Sequence, residues 1–317
     1  MITPKSTDGQ DVISGHSFSL SDLSVDDRKP GISAFMRIRN GADFLETTIE
    51  SHIEYFDEIV AVHNQCTDTS PAILMRLKQR HGEKLRVVHY TDRVFPPGSV
   101  GHAQTPKNAP QSLVNYYNVA LALTRYQFAT KLDDDHLGIE EGLADAIKRV
   151  REDRLHRVMH CFSGLNLARR AEGTLGVTAS NPISGNGDIG FFPVSEKTVF
   201  GHDRRFETFR HDGLRREFVG FLYWHLKYLK KGNGFDNYEL SDNPESRYHK
   251  QRERFRGSEI VTVEEVAARL GAKQTQVWLL SPFIDKARLR RDQIKCLRSG
   301  LPSEDLITAD RRLSQYC

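Results

Sequence analysis

Three short apolar runs constrain this chain more than anything else in it. Residues 32–38 (ISAFMRI), 58–62 (EIVAV) and 85–89 (LRVVH) each read as a buried strand. Between the first two, residues 42–55 set Phe44, Leu45, Ile49 and Ile53 near one helical face. Between the second and third, residues 71–81 read as a helix with Pro71 in its first turn and Asp68 or Ser70 as its cap. The order strand, helix, strand, helix, strand predicts parallel strands joined by right-handed crossovers. A sheet of that kind binds ligands beyond the carboxyl ends of its strands. Candidate binding residues therefore follow the runs: Arg37, Arg39 and Asn40 after the first, His63, Asn64 and Asp68 after the second, and Asp92 after the third. The expected class is α/β, a Rossmann-like and mostly parallel central sheet flanked by helices.

Further along, residues 93–110 hold four prolines and two glycines, which argues for a long surface loop of the kind that closes over a site. Residues 113–126 return to a helical pattern, 128–132 to a strand, 140–153 to a helix and 157–162 to a strand. The aromatic stretch 214–230 reads as a helix. Residues 1–30, closed by Pro30 and Gly31, read as a partly disordered extension. After Lys231 the character changes to a basic run at 247–256 and helical patterns at 263–270 and 284–297. The expected division is an extension at 1–30, a main domain at 31–231 and a mainly helical accessory segment at 232–317. That last segment reads as a solvated cap, a dimerisation element, or basic helices near an anionic membrane surface.

Composition excludes several classes of function. A formal net charge of +3 over 317 residues gives no case for nucleic-acid binding. The four cysteines form no CxxC pair, so neither a zinc site nor a disulfide framework is expected. Residues 1–30 lack the basic start and apolar stretch of a signal peptide, and no apolar run approaches about 18 residues. The expected location is the cytoplasm, with docking at the inner face of the membrane if the substrate is lipid-linked.

The chemistry is concentrated at Asp133, Asp134 and Asp135, directly after the strand at 128–132. Three adjacent carboxylates repel one another, and a divalent cation relieves that repulsion. Mg²⁺ or Mn²⁺ takes one or two carboxylates together with substrate phosphates. The plain alternative is a solvated acidic turn. Glycine-rich 184–194 (SGNGDIGFFPV) offers Asp188 as a contact to a sugar, donor or acceptor, or simply makes a tight turn.

Three segments in order resemble the family 2 glycosyltransferases, inverting enzymes of the GT-A fold. They are ISAFMRIRNGADFLETTIES, FDEIVAVHNQCTDTSPAIL and NVALALTRYQFATKLDDDH, the last ending in a DxD motif. The resemblance covers residues 31–140. It implies a GT-A domain with a helical C-terminal extension, a nucleotide-sugar donor, a glycan or lipid-linked acceptor and a role in cell-surface polysaccharide synthesis. By the same resemblance Asp135 would bind the metal and Asp133 the sugar or ribose, with a share in the metal. Asp134 would belong to the donor site or face solvent. Residues 37–40 would line the nucleotide pocket. Where the family often has an aspartate after its second strand, this chain has His63 and Asn64, so the base stays open between these and Asp92.

An inverting transferase also needs a carboxylate base for the acceptor hydroxyl. Asp212 matches the family's acidic pair before a helix, with Glu207 as the rival; Asp212 could equally cap that helix. His225 either lies in the core or reaches the metal, as late histidines do in such enzymes. Lys227, Arg210 or Lys231 could hold the diphosphate. Two other functions share these features: a sugar-phosphate nucleotidyltransferase, and a non-catalytic carbohydrate-binding protein.

Overall fold

A computed structural model describes the chain apart from residues 1, 3, 8–9, 186–188, 203–206, 273–283 and 317 and the side chains of 6, 7 and 272. The fold is mixed α/β, with one large and mainly parallel central sheet flanked by helices. Its strands in chain order are β1 (Lys5–Thr7), β2 (Gln10–Ile13), β3 (Lys29–Ile38), β4 (Glu58–His63), β5 (Leu85–Tyr90), β6 (Tyr126–Lys131), β7 (His136–Gly138), β8 (Val158–Arg169), β9 (Leu175–Thr178), β10 (Ile183–Ser184), β11 (Gly190–Pro193), β12 (Phe200–His202), β13 (Glu207–Phe209), β14 (Arg215–His225) and β15 (Ile260–Val261). The helices are α1 (Leu45–His52), α2 (Ser70–His81), α3 (Val100–Gln104), α4 (Leu113–Ala122), α5 (Glu140–Glu152), α6 (Tyr248–Arg256), α7 (Val263–Ala272), α8 (Asp285–Arg298), α9 (Glu304–Ala309) and α10 (Arg311–Ser314).

The order across the sheet is β1-β2-β5-β4-β3-β6-β11-β8-β14-β7. Neighbours from β2 to β6 run parallel, as do β8 and β14. The chain moves from β3 to β4 on one side and later to β6 on the other, so the strand order reverses at β3. In open sheets a reversal of this kind marks the carboxyl ends at which ligands bind. β4 is buried at every position, as a strand covered on both faces must be. In β3, Ala34, Met36 and Ile38 join the core under α1, α2 and α5, while Phe35 joins the core under α4.

Four expectations need correcting. Residues 1–30 are not a loose extension: β2 lies parallel to β5 and widens the sheet. The strand at 157–162 continues to Arg169. The loop at 93–110 contains α3, capped by Ser99 Oγ, which accepts from His102 N. The largest correction concerns 214–230, which is strand β14 and then a 3-10 turn, not a helix. A continuous apolar run does not distinguish a buried strand from a buried helix. Here Phe218, Val219, Phe221, Tyr223 and Trp224 suit a pleated surface, and Gly220 takes a φ of +140° at a bulge against β8.

The segment after Lys231 folds back on the same core. β15 pairs with β9 and α8 packs on β14. Gln293 Nε2 donates to Ser163 Oγ at 2.9 Å. Val263, Val266 and Leu297 share a core with Leu137 and Trp224. Cys66 and Cys296 are free thiols. Among the described residues, no helix is long and apolar enough to cross a membrane.

His52 ends α1 in the core, with Nδ1 2.9 Å from Thr48 O. Burial pushes its imidazole down to about 4. The unfolded chain takes up this proton near pH 6.5, the folded chain only near 4. Its contribution is therefore complete above pH 6.5 and is lost as pH falls through that window, by about 3 kcal/mol at most. His52→Gln should flatten urea-unfolding free energies between pH 6.5 and 4 relative to the parent. Parallel curves would show that His52 is not held neutral.

Candidate active site

β6 ends at Lys131, and the acidic triplet turns the chain into β7. β7 then pairs antiparallel with β14, which sets His136 directly opposite His225. Leu226 N donates to Asp135 O at 2.8 Å and closes the same corner. Residues about ninety positions apart are thus fixed together by backbone pairing.

One ligand atom each from Asp135, His136 and His225 lies within 4.8 Å of the others. His225 Nδ1 sits 2.5 Å from Asn166 Oδ1, which turns Nε2 toward Asp135 Oδ1 at 3.3 Å. The His136 ring stacks on Tyr223 with centroids 3.7 Å apart. Asp135 is 6% exposed and His136 1%, yet neither Asp135 Oδ1 nor His136 Nε2 makes a well-formed hydrogen bond: their polar neighbours are His225 Nε2 at 3.3 Å and Asp133 Oδ2 at 3.8 Å. Buried polar atoms are rarely left so, and a cation among them would satisfy both at once. Burial pushes His136 down to about 3, which keeps its imidazole neutral and able to ligate. One carboxylate and two imidazoles make a donor set that fits a first-row divalent ion.

Lysines neutralise the rest of the triplet. Lys131 Nζ lies 2.9 Å from Asp133 Oδ2. Lys230 Nζ lies 3.0 Å from Asp134 Oδ1 and 2.9 Å from Asp135 Oδ2. Burial alone would raise the Asp133 and Asp135 carboxyls. Lys131 and His136 beside the first, and Lys230 and His225 beside the second, hold both well below the usual carboxylate range. Burial keeps Asp134 raised even against Lys230. Asp134 does not face solvent. It packs on the turn at Gly41, where an added Cβ would stand 2.1 Å from Asp134 Oδ2.

Beside Lys131 opens a cavity of about 330 Å³ lined by Tyr117, Lys131, Gly190, Phe200, Glu207 and Arg247 among others. Glu207 Oε1 accepts from Tyr117 OH at 2.8 Å, and Glu207 Oε2 is buried without a partner. The Arg37 guanidinium lies 3.2 Å from the centroid of the Tyr117 ring, and its Nε has no partner. Burial opposes its charge, but Tyr117, Glu207 and Asp133 outweigh burial and hold the guanidinium protonated. Glu207 lines the cavity, the Arg37 guanidinium is stacked on the Tyr117 ring of its wall, and Lys131 connects it to Asp133.

The other expected residues fall in different places. Arg39 pairs with Glu239 at 2.7 Å. Asn40 takes a φ of +52° and accepts from Thr67 N. His63 stacks on His89 and meets Gln10, and burial pushes it down to about 4. Asn64 Nδ2 donates to the carbonyls of Tyr90 and Asp92, both at 2.7 Å. Asp68 accepts from Ser70 N and Ala42 N, so it ties α2 to the start of α1. Asp92 accepts from Gly15 N. The Lys227 amine sits among the rings of Phe235, Tyr238 and Tyr248, and burial lowers it to about 8. Asp212 is more than half exposed and pairs with Arg210 in the turn before β14. No helix follows it, so the positional case for Asp212 loses its premise. Asp188 lies outside the described residues.

Sequence reading missed His136, Lys230, Tyr117 and Asn166. Only His136 left a signal, as the residue directly after the triplet. Gly164 is the hidden support of the cluster: an added Cβ would meet the Tyr223 ring at 2.3 Å. Gly164→Ala should cost about 1–3 kcal/mol in urea unfolding. A cost near zero would mean that the Tyr223–His136 stack is not packed as described.

No protein-family model matches the chain, and no curated protein does. Among solved structures it is similar to TarS residues 1–349 of S. aureus in complex with UDP, at 20% identity over 44% of this chain and 37% of that one, with a TM-score of 0.32. It is also similar to the mannosyltransferase PcManGT of Pyrobaculum calidifontis in complex with GDP-Man and Mn²⁺, at 20% identity over 45% and 36%, with a TM-score of 0.31. A third is glucosyl-3-phosphoglycerate synthase of Mycobacterium tuberculosis with Mn²⁺, UDP and phosphoglyceric acid, at 14% identity over 52% and 53%, with a TM-score of 0.29. The matched part spans little more than a third of each of the first two chains.

Proposed function

We propose that the chain is a metal-dependent glycosyltransferase that moves a sugar from a nucleotide-sugar donor to a glycan or lipid-linked acceptor with inversion. One observation carries this reading. Buried ligand atoms of Asp135 and His136 that lack a well-formed hydrogen bond converge with His225 at the carboxyl ends of a parallel sheet, beside a cavity lined by Glu207, whose Oε2 makes no hydrogen bond.

Asp135, His136 and His225 would hold the ion, and their two imidazoles favour Mn²⁺ over Mg²⁺. When bound, the ion supplies neutralisation of the charge that develops on the departing diphosphate. The chain's own residues do the rest. Asp133, kept ionised by Lys131, accepts hydrogen bonds from donor hydroxyls. Arg37 is the donor-facing cation, since among the described residues its guanidinium forms no ion pair at contact distance. Glu207, not Asp212, takes the acceptor proton on Oε2, while Tyr117 fixes its other oxygen. Tyr117 and Phe200 give the acceptor apolar faces to pack on and keep water from the donor. His63, Asn64 and Asp68 hold the sheet and helix ends and are left out of donor contact. In this reading 31–231 is the transferase body. The basic residues of α6 and α8 face an anionic surface at the cytoplasmic side of a membrane during polysaccharide assembly.

Thermal melting with UDP, GDP, CDP and dTDP, each with and without Mn²⁺, tests the donor class. One nucleotide should raise the melting temperature only with Mn²⁺, and Asp135→Ala should abolish the shift. A shift that survives Asp135→Ala would remove the metal from this cluster. With that donor, Glu207→Gln should lower kcat by about 10²-fold or more while nucleotide binding is kept. Asp212→Asn should leave kcat within about twofold. The reverse ranking would return the base role to Asp212.

A further inference from the structure

We propose that Lys230 is a built-in counter-ion that makes metal binding and donor binding depend on each other. The inference rests on the reading that Asp135, His136 and His225 take a divalent ion and a nucleoside diphosphate. Lys230 Nζ stands between two carboxylates, 3.0 Å from Asp134 Oδ1 and 2.9 Å from Asp135 Oδ2, and its side chain is 12% exposed. The ammonium is held there by the backbone on both sides. Lys230 N donates to Lys227 O in the turn after β14, and Lys231 N donates to Asp43 Oδ2 at 3.0 Å. Asp134 is itself backed against the Gly41 turn.

Asp135 is therefore divided. Oδ2 serves the ammonium at 2.9 Å, and Oδ1 faces His225 Nε2 at 3.3 Å without a well-formed hydrogen bond. The two oxygens of one carboxylate lie close together, so an ion on Oδ1 sits within a few ångströms of a fixed positive charge in a poorly hydrated site. Like charges at that range repel strongly. Lys131 also neutralises Asp133, so the free protein offers the ion little net negative charge. A diphosphate changes the balance. Its oxygens can ligate the ion and accept from the ammonium, which has three donor hydrogens. The ion should then bind weakly alone and tightly with the nucleotide, and by linkage the nucleotide should need the ion equally.

The test is Mn²⁺ binding to the full chain, read from the electron paramagnetic resonance of free Mn²⁺, with and without saturating UDP or GDP. In the parent, nucleotide should tighten Mn²⁺ binding at least about tenfold. Lys230→Met should bind Mn²⁺ alone at least about tenfold more tightly than the parent, with less than about threefold further gain from nucleotide. Lys230→Arg should keep the parent pattern. A folded Lys230→Met that binds Mn²⁺ alone no more tightly than the parent overturns the proposal. So does a parent chain whose Mn²⁺ affinity is unmoved by nucleotide, a result that needs no variant. If that unmoved binding is abolished by Asp135→Ala, only the role of Lys230 fails. If no Mn²⁺ binds with or without nucleotide, the transferase reading fails and the proposal with it.

Discussion

Three carboxylates in a row at the end of β6 are the constraint around which this structure is built. Left to themselves they would repel, and burying them would make matters worse. They are answered from different parts of the chain. Lys131 answers Asp133 from the last position of β6, two residues away. Lys230 answers Asp134 and Asp135 from a turn nearly a hundred residues later. His136 and His225 arrive on paired strands. The requirement propagates into the packing: Asp134 can turn inward only because Gly41 has no side chain, and Tyr223 can lie over His136 only because Gly164 has none.

That arrangement separates two tasks within one carboxylate. The lysine side of Asp135 is saturated, and the histidine side is not. Asn166 fixes the His225 ring through Nδ1, as a second layer of contacts fixes ring orientation in metal sites. Tyr223 fixes His136 by stacking and donates its own hydroxyl to Ser184 Oγ at 2.9 Å. Both histidines are thus oriented by residues of β8, β10 and β14, which form the half of the sheet away from β3. The cluster joins the parallel half, which supplies the carboxylates, to the other half, which supplies the imidazoles.

The two halves differed in how well sequence disclosed them. In the parallel half, helices and strands alternate with strong periodicity and plain turn chemistry, so residues 31–140 could be laid out in order. The acidic triplet was visible as a place because adjacent like charges are costly without a purpose. In the other half the information is non-local. β14 reads as an apolar run whose strand geometry comes from β8 and β7 on its edges. His225 becomes a neighbour of His136 only through that pairing, and Lys230 becomes a neighbour of Asp135 only through the turn that follows. Reading 214–230 as a helix also drew attention to Asp212 as the residue before it. Glu207 shows its quality only in three dimensions, in an oxygen without a partner. His63 and Asn64 show the opposite limit: position after a strand pointed to a ligand, but the sheet's own terminal carbonyls at Tyr90 and Asp92 claim the Asn64 amide.

The change of composition after Lys231 is a property of the surface. In α6 Arg256 pairs with Glu253 and in α8 Arg288 pairs with Asp285, while Leu289, Ile294 and Leu297 of α8 are buried in the core. The same segment reaches the carboxyl end of β3. Asn237 Nδ2 donates to Arg39 O at 2.6 Å and Glu239 pairs with Arg39. Tyr238 and Tyr248 enclose the Lys227 amine. The carboxyl end of β3 is therefore covered by residues from both sides of the compositional break. Arg39 and Lys227 are thus held in place by side chains from beyond residue 231.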